Sequence, residues 1–174
     1  MTHLQLRPFL LSGLLWFGIC SVAAALPALK IVDGRIVDPE GNSVTLKGCN
    51  LGNWLILEPW MFDLPKFGAH DEHGIEAVLA ERFGEIDKER LMAVHRDSWI
   101  TENDFPVIQS FGMNFVRLPF EYQILEDDDR PKQLKPDAFK YLDRCIGWAE
   151  KYGMYVLLDL HGAVGRQNKY GHSG

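Results

Sequence analysis

Two short apolar runs, residues 114–118 and 154–160, constrain the fold of this chain more than any other feature of its sequence. Both are too short for a helix of ordinary length, and neither alternates with polar residues. This pattern predicts strands of a parallel sheet that is covered on both faces. Pro119 directly follows the first run, and we expect that strand to end there because proline lacks the N–H that a sheet ladder uses.

Three other segments favour helices. Residues 136–152 place apolar side chains on one continuous face, so we predict a helix that starts at Pro136. Thr101 begins a second helix through a capping-box pattern, and residues 75–95 favour a third that Gly84 weakens in its middle. The order strand, helix, strand, helix, strand is typical of α/β proteins whose helices cover a parallel sheet.

The sequence before the first apolar run predicts β-structure and a long loop. The pair Asp33-Gly34 indicates a hairpin over residues 29–37, and residues 44–49 favour a further strand. Residues 50–65 form an irregular, aromatic-rich stretch, and loops of this length usually have a function. At the other end the sequence stops in a glycine-rich loop with no helix to cover the last strand, which we interpret as truncation.

The first 25 residues have the pattern of a signal peptide. Arg7 precedes an apolar stretch, and small residues lead to Ala25, where we predict cleavage. The apolar stretch is shorter than the roughly 20 residues of a membrane-spanning helix. The protein is therefore predicted to be secreted, to the extracellular space or the periplasm. Cys49 and Cys145 would then be either buried free thiols or a disulfide, because the sequence does not give their Cα separation.

Charge and motifs argue against several function classes. The chain is acidic, with a formal charge of −6 at pH 7, so we expect no nucleic-acid partner. It has no phosphate-binding glycine loop ahead of a helix and no Gly-x-Ser-x-Gly nucleophile elbow. Residues 70–73, His-Asp-Glu-His, contain metal-ligand types without the helical His-Glu-x-x-His spacing. We expect a solvated loop there, no metal site and no cofactor.

Two polar residues stand at the C-terminal ends of the predicted parallel strands, where loops converge and binding sites form. Arg117 interrupts the first apolar run, and its guanidinium must face an acid partner or a polar ligand. His161 follows the second run and could bind sugar hydroxyls or orient a carboxylate. The alternatives are a structural ion pair for Arg117 and a structural hydrogen bond for His161.

The loops also contain the residue types that sugar-binding sites use. Aromatic side chains cover the apolar face of a pyranose ring, and short polar groups bind its hydroxyls. Each aromatic could instead pack in the core. The candidate aromatic platforms are Trp54, Trp60 and Tyr170, and the candidate hydroxyl partners are Glu58, Asn50, Gln167 and Asn168.

Taken together, three motifs resemble a known family. Residues 46–60, LKGCNLGNWLILEPW, are similar to the first strand and loop of the exo-β-1,3-glucanase branch of glycoside hydrolase family 5, the cellulase family. Residues 114–119, NFVRLP, resemble the second strand of that family, and residues 158–163, LDLHGA, with Gln167-Asn168 resemble the third. The resemblance implies a (β/α)8 TIM barrel, of which residues 26–174 would be a truncated catalytic domain: an N-terminal β-hairpin and about three β/α units.

The same resemblance implies roles for individual residues. Arg117 would support the charge of a nucleophile, and His161 would bind the sugar in the cleavage subsite. Glu58 would bind hydroxyls of the terminal glucose, and Tyr170 would form an aromatic wall beyond the scissile bond. The implied activity is retaining hydrolysis of a β-glucan oligo- or polysaccharide, with β-1,3-glucan as the expected substrate.

Two departures from the family pattern limit this expectation. Residues 171–174, Gly-His-Ser-Gly, lack the acidic residue that precedes the corresponding stretch in these glucanases, so exo or endo action stays open. A retaining glycosidase needs two carboxyl groups roughly 5 to 5.5 Å apart, and the family carries them after its fourth and seventh strands. We therefore predict that the 174-residue chain itself is inactive. The alternatives are a non-catalytic glucan-binding module and a β-1,4-glucanase or β-mannanase fragment.

Overall fold

The computed structural model describes residues 26–64 and 69–165 of the chain. The strands are β1 (Lys30–Val32), β2 (Arg35–Val37), β3 (Gly48–Asn50), β4 (Phe115–Glu121) and β5 (Tyr155–Gly162). The helices are α1 (Glu72–Phe83), α2 (Glu85–Ser98), α3 (Asp104–Ser110) and α4 (Lys140–Lys151), with 3₁₀ turns at Pro59–Phe62 and Tyr122–Ile124. None of the helices in the described ranges has the length and apolar character to cross a bilayer. The predicted signal peptide lies outside these ranges.

Strands β3, β4 and β5 form a parallel sheet in that order, which confirms the α/β prediction. Cys49 pairs with Val116, and Arg117 pairs with Leu157. The core lies between this sheet and the helices, because apolar side chains that alternate along β4 point toward α3 and α4. The buried cluster includes Val116, Leu118, Phe120, Phe105, Leu142, Cys145 and Ala149.

Both cysteines of the described chain are free thiols. Cys145 lies in the core on α4, and its burial raises the pKa of the thiol to about 12. Cys49 on β3 is half-buried, and desolvation also raises its pKa. Of the two possibilities left open by the sequence, the structure therefore has the unbridged one.

The predicted hairpin is confirmed, but the strand predicted after it is only partly correct. Strands β1 and β2 pair antiparallel around Asp33 and Gly34, whose φ angles of 50° and 72° are those of a tight hairpin turn. The predicted strand 44–49 is divided between two places. Its first residue, Val44, belongs to the hairpin, because the Val44 N–H donates to the Ile36 carbonyl. Only its last two residues, Gly48 and Cys49, join the parallel sheet, where β3 continues to Asn50.

The prediction that Pro119 ends its strand is wrong, because β4 continues to Glu121. The Leu51 N–H donates to the Arg117 carbonyl, and the Glu121 N–H donates to the Leu55 carbonyl. Along a strand, every second residue faces the same neighbour. Pro119 therefore directs its nitrogen to the gap where residues 52–54 have left the sheet, and no ladder hydrogen bond is lost there.

Three helix predictions also need correction at their boundaries. Helix α3 begins at Asp104 rather than at Thr101, although the Thr101 N–H donates to Asp104 Oδ2 as in a capping box. Gly84 ends α1 and begins α2 with φ 81° and ψ 162°, so residues 75–95 belong to two helices rather than to one weakened helix. Helix α4 begins at Lys140 rather than at Pro136, since residues 136–139 form a turn in which the Ala138 N–H donates to the carbonyl three residues earlier. First helical turns often take this tighter geometry.

Strand β5 departs from its prediction in length and in burial. It continues through His161 to Gly162, so His161 lies within the strand and not after it. Leu157 is 48% exposed and Leu160 is 47% exposed, although we expected both faces of this strand to be covered. In the described part of the chain, β5 pairs only with β4 and is an edge strand, which leaves apolar side chains open on both faces.

The close packing of β3 on β4 gives a direct test of the sheet. A Cβ on Gly48 would overlap the backbone carbonyl of Phe115, whereas a Cβ on Gly147, on the exposed side of α4, would meet nothing within 4 Å. We expect Gly48→Ala to lower the free energy of unfolding by about 1–3 kcal/mol or more. The matched variant Gly147→Ala should raise it by up to about 1 kcal/mol through helix propensity. Urea unfolding followed by circular dichroism measures both, and equal effects would contradict the described packing.

Candidate functional site

The register of β4 on β5 brings three polar side chains together on one face of the sheet. The Arg117 guanidinium donates through Nη2 to Oδ2 of Asp159. The same Nη2 lies 3.1 Å from Nδ1 of His161, and Nδ1 lies 3.1 Å from Asp159 Oδ2. Arg117 and His161 are thus neighbours on adjacent parallel strands, as the sequence predicted. Arg117 is not at the C-terminal end of its strand, however: it is the third of the seven residues of β4, because the strand continues past Pro119. Its long side chain reaches toward that end and meets Asp159 and His161 there. Their functional roles stay predictions.

A β-bulge directs His161 to this position. Phe120 pairs with Leu160 but Glu121 pairs with Gly162, so His161 is the extra residue on β5. Bulges of this kind bend a strand locally and re-aim one side chain, and they are common next to functional sites.

The tautomer of His161 decides how these three contacts bond. Asp159 Oδ2 accepts from Arg117 Nη2, and it also accepts from Nδ1 in the tautomer that carries the proton there. In the other tautomer Nδ1 accepts from Arg117 Nη2 instead. In both, the Arg117–Asp159 pair holds Nδ1 of His161.

Sequence reasoning missed Asp159 as a member of this group. Its signal was present, because Asp159 precedes His161 by two residues and side chains two apart on a strand share a face. Asp159 is the acid partner that the sequence allowed for the Arg117 guanidinium. That ion pair is about 70% buried on both sides, which leaves the guanidinium edge near enough to solvent to meet a ligand as well.

Asn50, a predicted hydroxyl partner, lies on the same face. It pairs with Arg117 in the register of β3 on β4, and residues paired across parallel strands point to the same side of the sheet. Its side chain is exposed. The three strands therefore place Asn50, Arg117 and the Asp159–His161 pair side by side.

Glu58 and Trp60, also predicted as sugar-binding residues, lie together on the loop after β3. The Glu58 N–H donates to Asn53 Oδ1 at 2.6 Å, and the Trp60 indole N–H donates to Glu58 Oε1 at 3.3 Å. Between them, Pro59 begins a 3₁₀ turn and is buried. The ring of Trp60 is 57% exposed, so it offers a flat apolar surface beside a carboxylate.

Trp54 is not a sugar-binding platform, contrary to the prediction. It is 1% exposed, stacks on Trp148 with ring centroids 6.0 Å apart and meets Tyr141 edge-on. Its indole N–H donates to the carbonyl of Arg96 at 2.7 Å. The sequence alone could not separate it from Trp60, because burial of an aromatic loop residue depends on a helix that comes 90 residues later.

Helix α2 holds the loop that carries Glu58. The Trp99 indole N–H donates to the Gly52 carbonyl at 2.9 Å, and His95 Nε2 donates to the Asn53 carbonyl at 2.7 Å. The two rings stack on each other, with centroids 5.3 Å apart. Asn53 itself has φ 58°, a left-handed conformation that asparagine tolerates better than most residues. Two side chains at the C-terminal end of α2, His95 and Trp99, and the turn residue Asn53 thus fix the path of the loop.

A buried carboxyl pair lies below this loop, and sequence reasoning missed it. Glu72 and Glu121 are each 1% exposed. Glu72 Oε2 accepts from the Leu57 N–H at 2.6 Å, and Glu72 Oε1 accepts from Arg96 Nη2 at 3.2 Å. The expectation that residues 70–73 form a solvated loop is therefore wrong for Glu72, since this residue begins α1 and points into the protein. Burial, and then the charge of Glu72, raise the pKa of Glu121 well above its ordinary value.

Three predicted site residues cannot be placed. Tyr170, Asn168 and Gln167 fall outside the described residues, so their roles stay predictions. The described residues contain no group of three or more His, Cys, Asp or Glu side chains that could hold a metal ion.

Comparisons with known proteins agree with this geometry. The family model described as cellulase, glycosyl hydrolase family 5, matches residues 76–173. A protein named beta-xylosidase from Phanerodontia chrysosporium is 40% identical over 145 residues, which are 83% of this chain and 30% of that protein. A glucan 1,3-beta-glucosidase from Kluyveromyces lactis is 38% identical over 146 residues, which are 78% of this chain and 33% of that protein. The chain thus spans about a third of the length of these curated relatives.

A solved structure is similar as well. The crystal structure of rutinosidase from Aspergillus niger superposes with a TM-score of 0.58 at 26% sequence identity, over 74% of this chain and 38% of that one. The predicted fold, the N-terminal β/α units of a (β/α)8 barrel, is confirmed by this likeness and by the parallel sheet.

The turn at Asn53 generates a prediction about the loop. Asn53→Ala removes the acceptor of the Glu58 N–H, which costs about 1–3 kcal/mol, and forces a left-handed backbone on alanine, which costs about 1–2 kcal/mol more. Asn53→Gly should lose only the first contribution. The control is Asp33→Gly, which has a similar φ of 50° in the exposed hairpin turn and should be close to neutral. Urea unfolding measures all three, and a neutral Asn53→Gly would show that the side-chain hydrogen bond does not hold the loop.

Proposed function

The chain belongs to glycosyl hydrolase family 5, and we propose from this premise that it forms the first part of a retaining hydrolase barrel acting on β-glucan, with β-1,3-glucan as the preferred substrate. The observation that carries the proposal is the Arg117–Asp159–His161 group on one face of the sheet, toward the C-terminal end of β5 and beside Asn50. In a (β/α)8 barrel that end of the sheet is where substrates bind.

The proposed roles follow from the chemistry of each side chain. His161 contacts a sugar hydroxyl in the cleavage subsite, held in place through Nδ1 by the Arg117–Asp159 pair. Arg117 keeps a positive charge near the reacting centre at every pH of interest, because a guanidinium does not lose its proton in proteins. It would thereby stabilise the anionic form of a catalytic carboxylate. Asn50 supplies a further amide for hydroxyl recognition.

Glu58 and Trp60 would bind the same sugar chain from the side. An aromatic face covers the apolar side of a pyranose ring, while a carboxylate accepts hydrogen bonds from vicinal hydroxyls. The indole N–H of Trp60 orients the Glu58 carboxylate, so both groups face the ligand in a fixed relation. Tyr170 and Asn168 are proposed to complete this wall.

Turnover needs a carboxyl pair that these residues do not supply. The two groups of a retaining glycosidase stand roughly 5 to 5.5 Å apart, one as acid/base and one as nucleophile. Among the described acids near the strand ends, Asp159 is paired with Arg117, Glu121 is buried, and Glu58 is hydrogen-bonded to Trp60. We therefore propose that this chain binds glucan but does not cleave it alone.

Secretion belongs to the same proposal. A polymeric glucan is encountered outside the cell, and residues 1–25 have the sequence pattern of a cleaved signal peptide.

One finding favours a second substrate class. The relative named beta-xylosidase is 40% identical to this chain, a higher identity than that of the glucosidase named above, so xylose-based chains are the competing ligand. Xylose lacks the hydroxymethyl group of glucose, and a contact to that group would separate the two sugars.

The proposal predicts glucan binding that depends on Trp60. In affinity electrophoresis of the 174-residue chain on laminarin, Trp60→Ala should weaken binding about tenfold, because the stacking surface is lost. Phe111→Ala is the matched control, since Phe111 is 72% exposed but precedes β4 at the opposite end of the sheet. It should leave binding unchanged. The same gels cast with soluble xylan test the competing ligand.

Three outcomes would contradict the proposal. Equal retardation of Trp60→Ala and Phe111→Ala would remove Trp60 from the site, and tighter binding to xylan would replace glucan as the ligand. Release of reducing sugar from laminarin by the purified chain would overturn the claim that it has no turnover.

A further inference from the structure

We propose that Glu121 is a positioning residue: it stays a neutral acid, donates a hydrogen bond to Glu72, and through this pair fixes the backbone of the loop that presents Glu58. The part of this inference that concerns sugar binding rests on the proposed function. The part that concerns the shared proton stands on the buried geometry alone.

Glu121 occupies a site that does not suit a carboxylate. Both side-chain oxygens are buried, and among the described residues no group donates a hydrogen bond to either of them. After burial and the charge of Glu72, a side-chain hydrogen bond with Glu72 is a further cause that raises the pKa of Glu121. The nearest cationic atom, Arg96 Nη2, lies 3.9 Å from Oε1, which is beyond hydrogen-bonding distance. On the other side, Gly162 packs so closely that a Cβ there would lie 2.9 Å from the Glu121 Cβ. An ionised carboxylate in such a site would lose its hydration without gaining hydrogen bonds that compensate for the loss.

Glu72 is the natural acceptor for a proton on Glu121. Its oxygens already accept from the Leu57 N–H and from the Arg96 guanidinium. An ionised carboxylate has further lone pairs and can accept a third hydrogen bond. With Glu121 neutral, the buried charges of Glu72 and Arg96 balance each other. The proton on Glu121 thereby gives one of its two otherwise unpartnered oxygens a hydrogen bond.

The other charges around the pair support this assignment. Glu76 of α1 lies 4.0 Å from Arg96 Nη2, and burial together with the charge of Glu72 raises its own pKa. Lys88 pairs with Glu85 and Glu89. A hollow of 150 Å³ beyond Arg96 is lined by Glu76, Lys88, Lys135 and Asp127, among others. Three acids thus face one guanidinium, which opposes ionisation of Glu121.

The protonation of Glu121 affects the loop through the hydrogen bond between the Leu57 N–H and Glu72. Glu72 Oε2 holds the Leu57 N–H, and Leu57 directly precedes Glu58. If Glu121 lost its proton, two buried carboxylates would repel each other, and Glu72 would move away from Leu57. The raised pKa of Glu121 gives the sign: the folded chain keeps the proton while the unfolded chain releases it, so stability falls as pH rises above about 4.5 toward the folded-state pKa.

The test compares two variants of the 174-residue chain without any sugar. Glu121→Gln keeps a neutral donor of nearly the same shape, whereas Glu121→Leu fills the space without a donor. Amide hydrogen exchange at Leu57, measured by NMR, should match the original chain in Glu121→Gln and be at least about tenfold faster in Glu121→Leu. Glu81→Gln, on the exposed side of α1, is the control and should change nothing.

A second measurement keeps the proposal testable if Glu121→Leu does not fold. In the original chain labelled with ¹³C at glutamate carboxyls, Glu121 should titrate well above the other glutamates, and the exchange rate at Leu57 relative to Glu121→Gln should rise over the same pH range. Titration of Glu121 near its ordinary value, or fast exchange in Glu121→Gln, would overturn the inference. Glucan binding is not used here, so the proposed function can fail independently.

Discussion

The contact of Arg117 with Asp159 and His161 depends on the register between two parallel strands. Side chains alternate with a period of two along a strand, so a slip by one residue would turn Arg117 into the core and send Leu118 to the polar face. Val116, Leu118 and Phe120 prevent this slip, because all three are buried on the helix side of the sheet. The apolar core and the polar group are therefore two consequences of one alignment.

A second constraint comes from outside the sheet. The loop that carries Glu58 leaves β4 after Leu51 and meets it again at Leu55, and between these points it is held by side chains of α2 and by buried Trp54. Below the loop, Glu72 binds the Leu57 N–H from a site shielded from water. The loop backbone is thus held by several hydrogen bonds from buried or half-buried groups, while Trp60, which would touch a ligand, is exposed. This division suits a binding site, because a rigid support lowers the ordering cost of binding.

The sequence predicted those features that depend on neighbours along the chain. Apolar runs without alternation indicated parallel strands, and polar residues at their ends indicated Arg117 and His161. What it could not predict depends on tertiary partners. Pro119 stays in its strand because a distant loop leaves a gap opposite its nitrogen, and Trp54 is buried by a helix that follows much later. The burial of Glu121 has no local signal in the sequence, because Glu72 and Arg96, which lie beside it, belong to α1 and α2.

The central claim is that the rim formed by β4 and β5 is the sugar-contacting surface. The most direct test is an NMR titration of the ¹⁵N-labelled chain with laminaritriose, following the side-chain signals of Arg117, His161 and Trp60 together. The account predicts that all three shift with one saturation curve, because one ligand lies across both the sheet rim and the loop. A saturable shift of Trp60 with Arg117 and His161 unchanged would contradict it and would place the sugar on the loop alone.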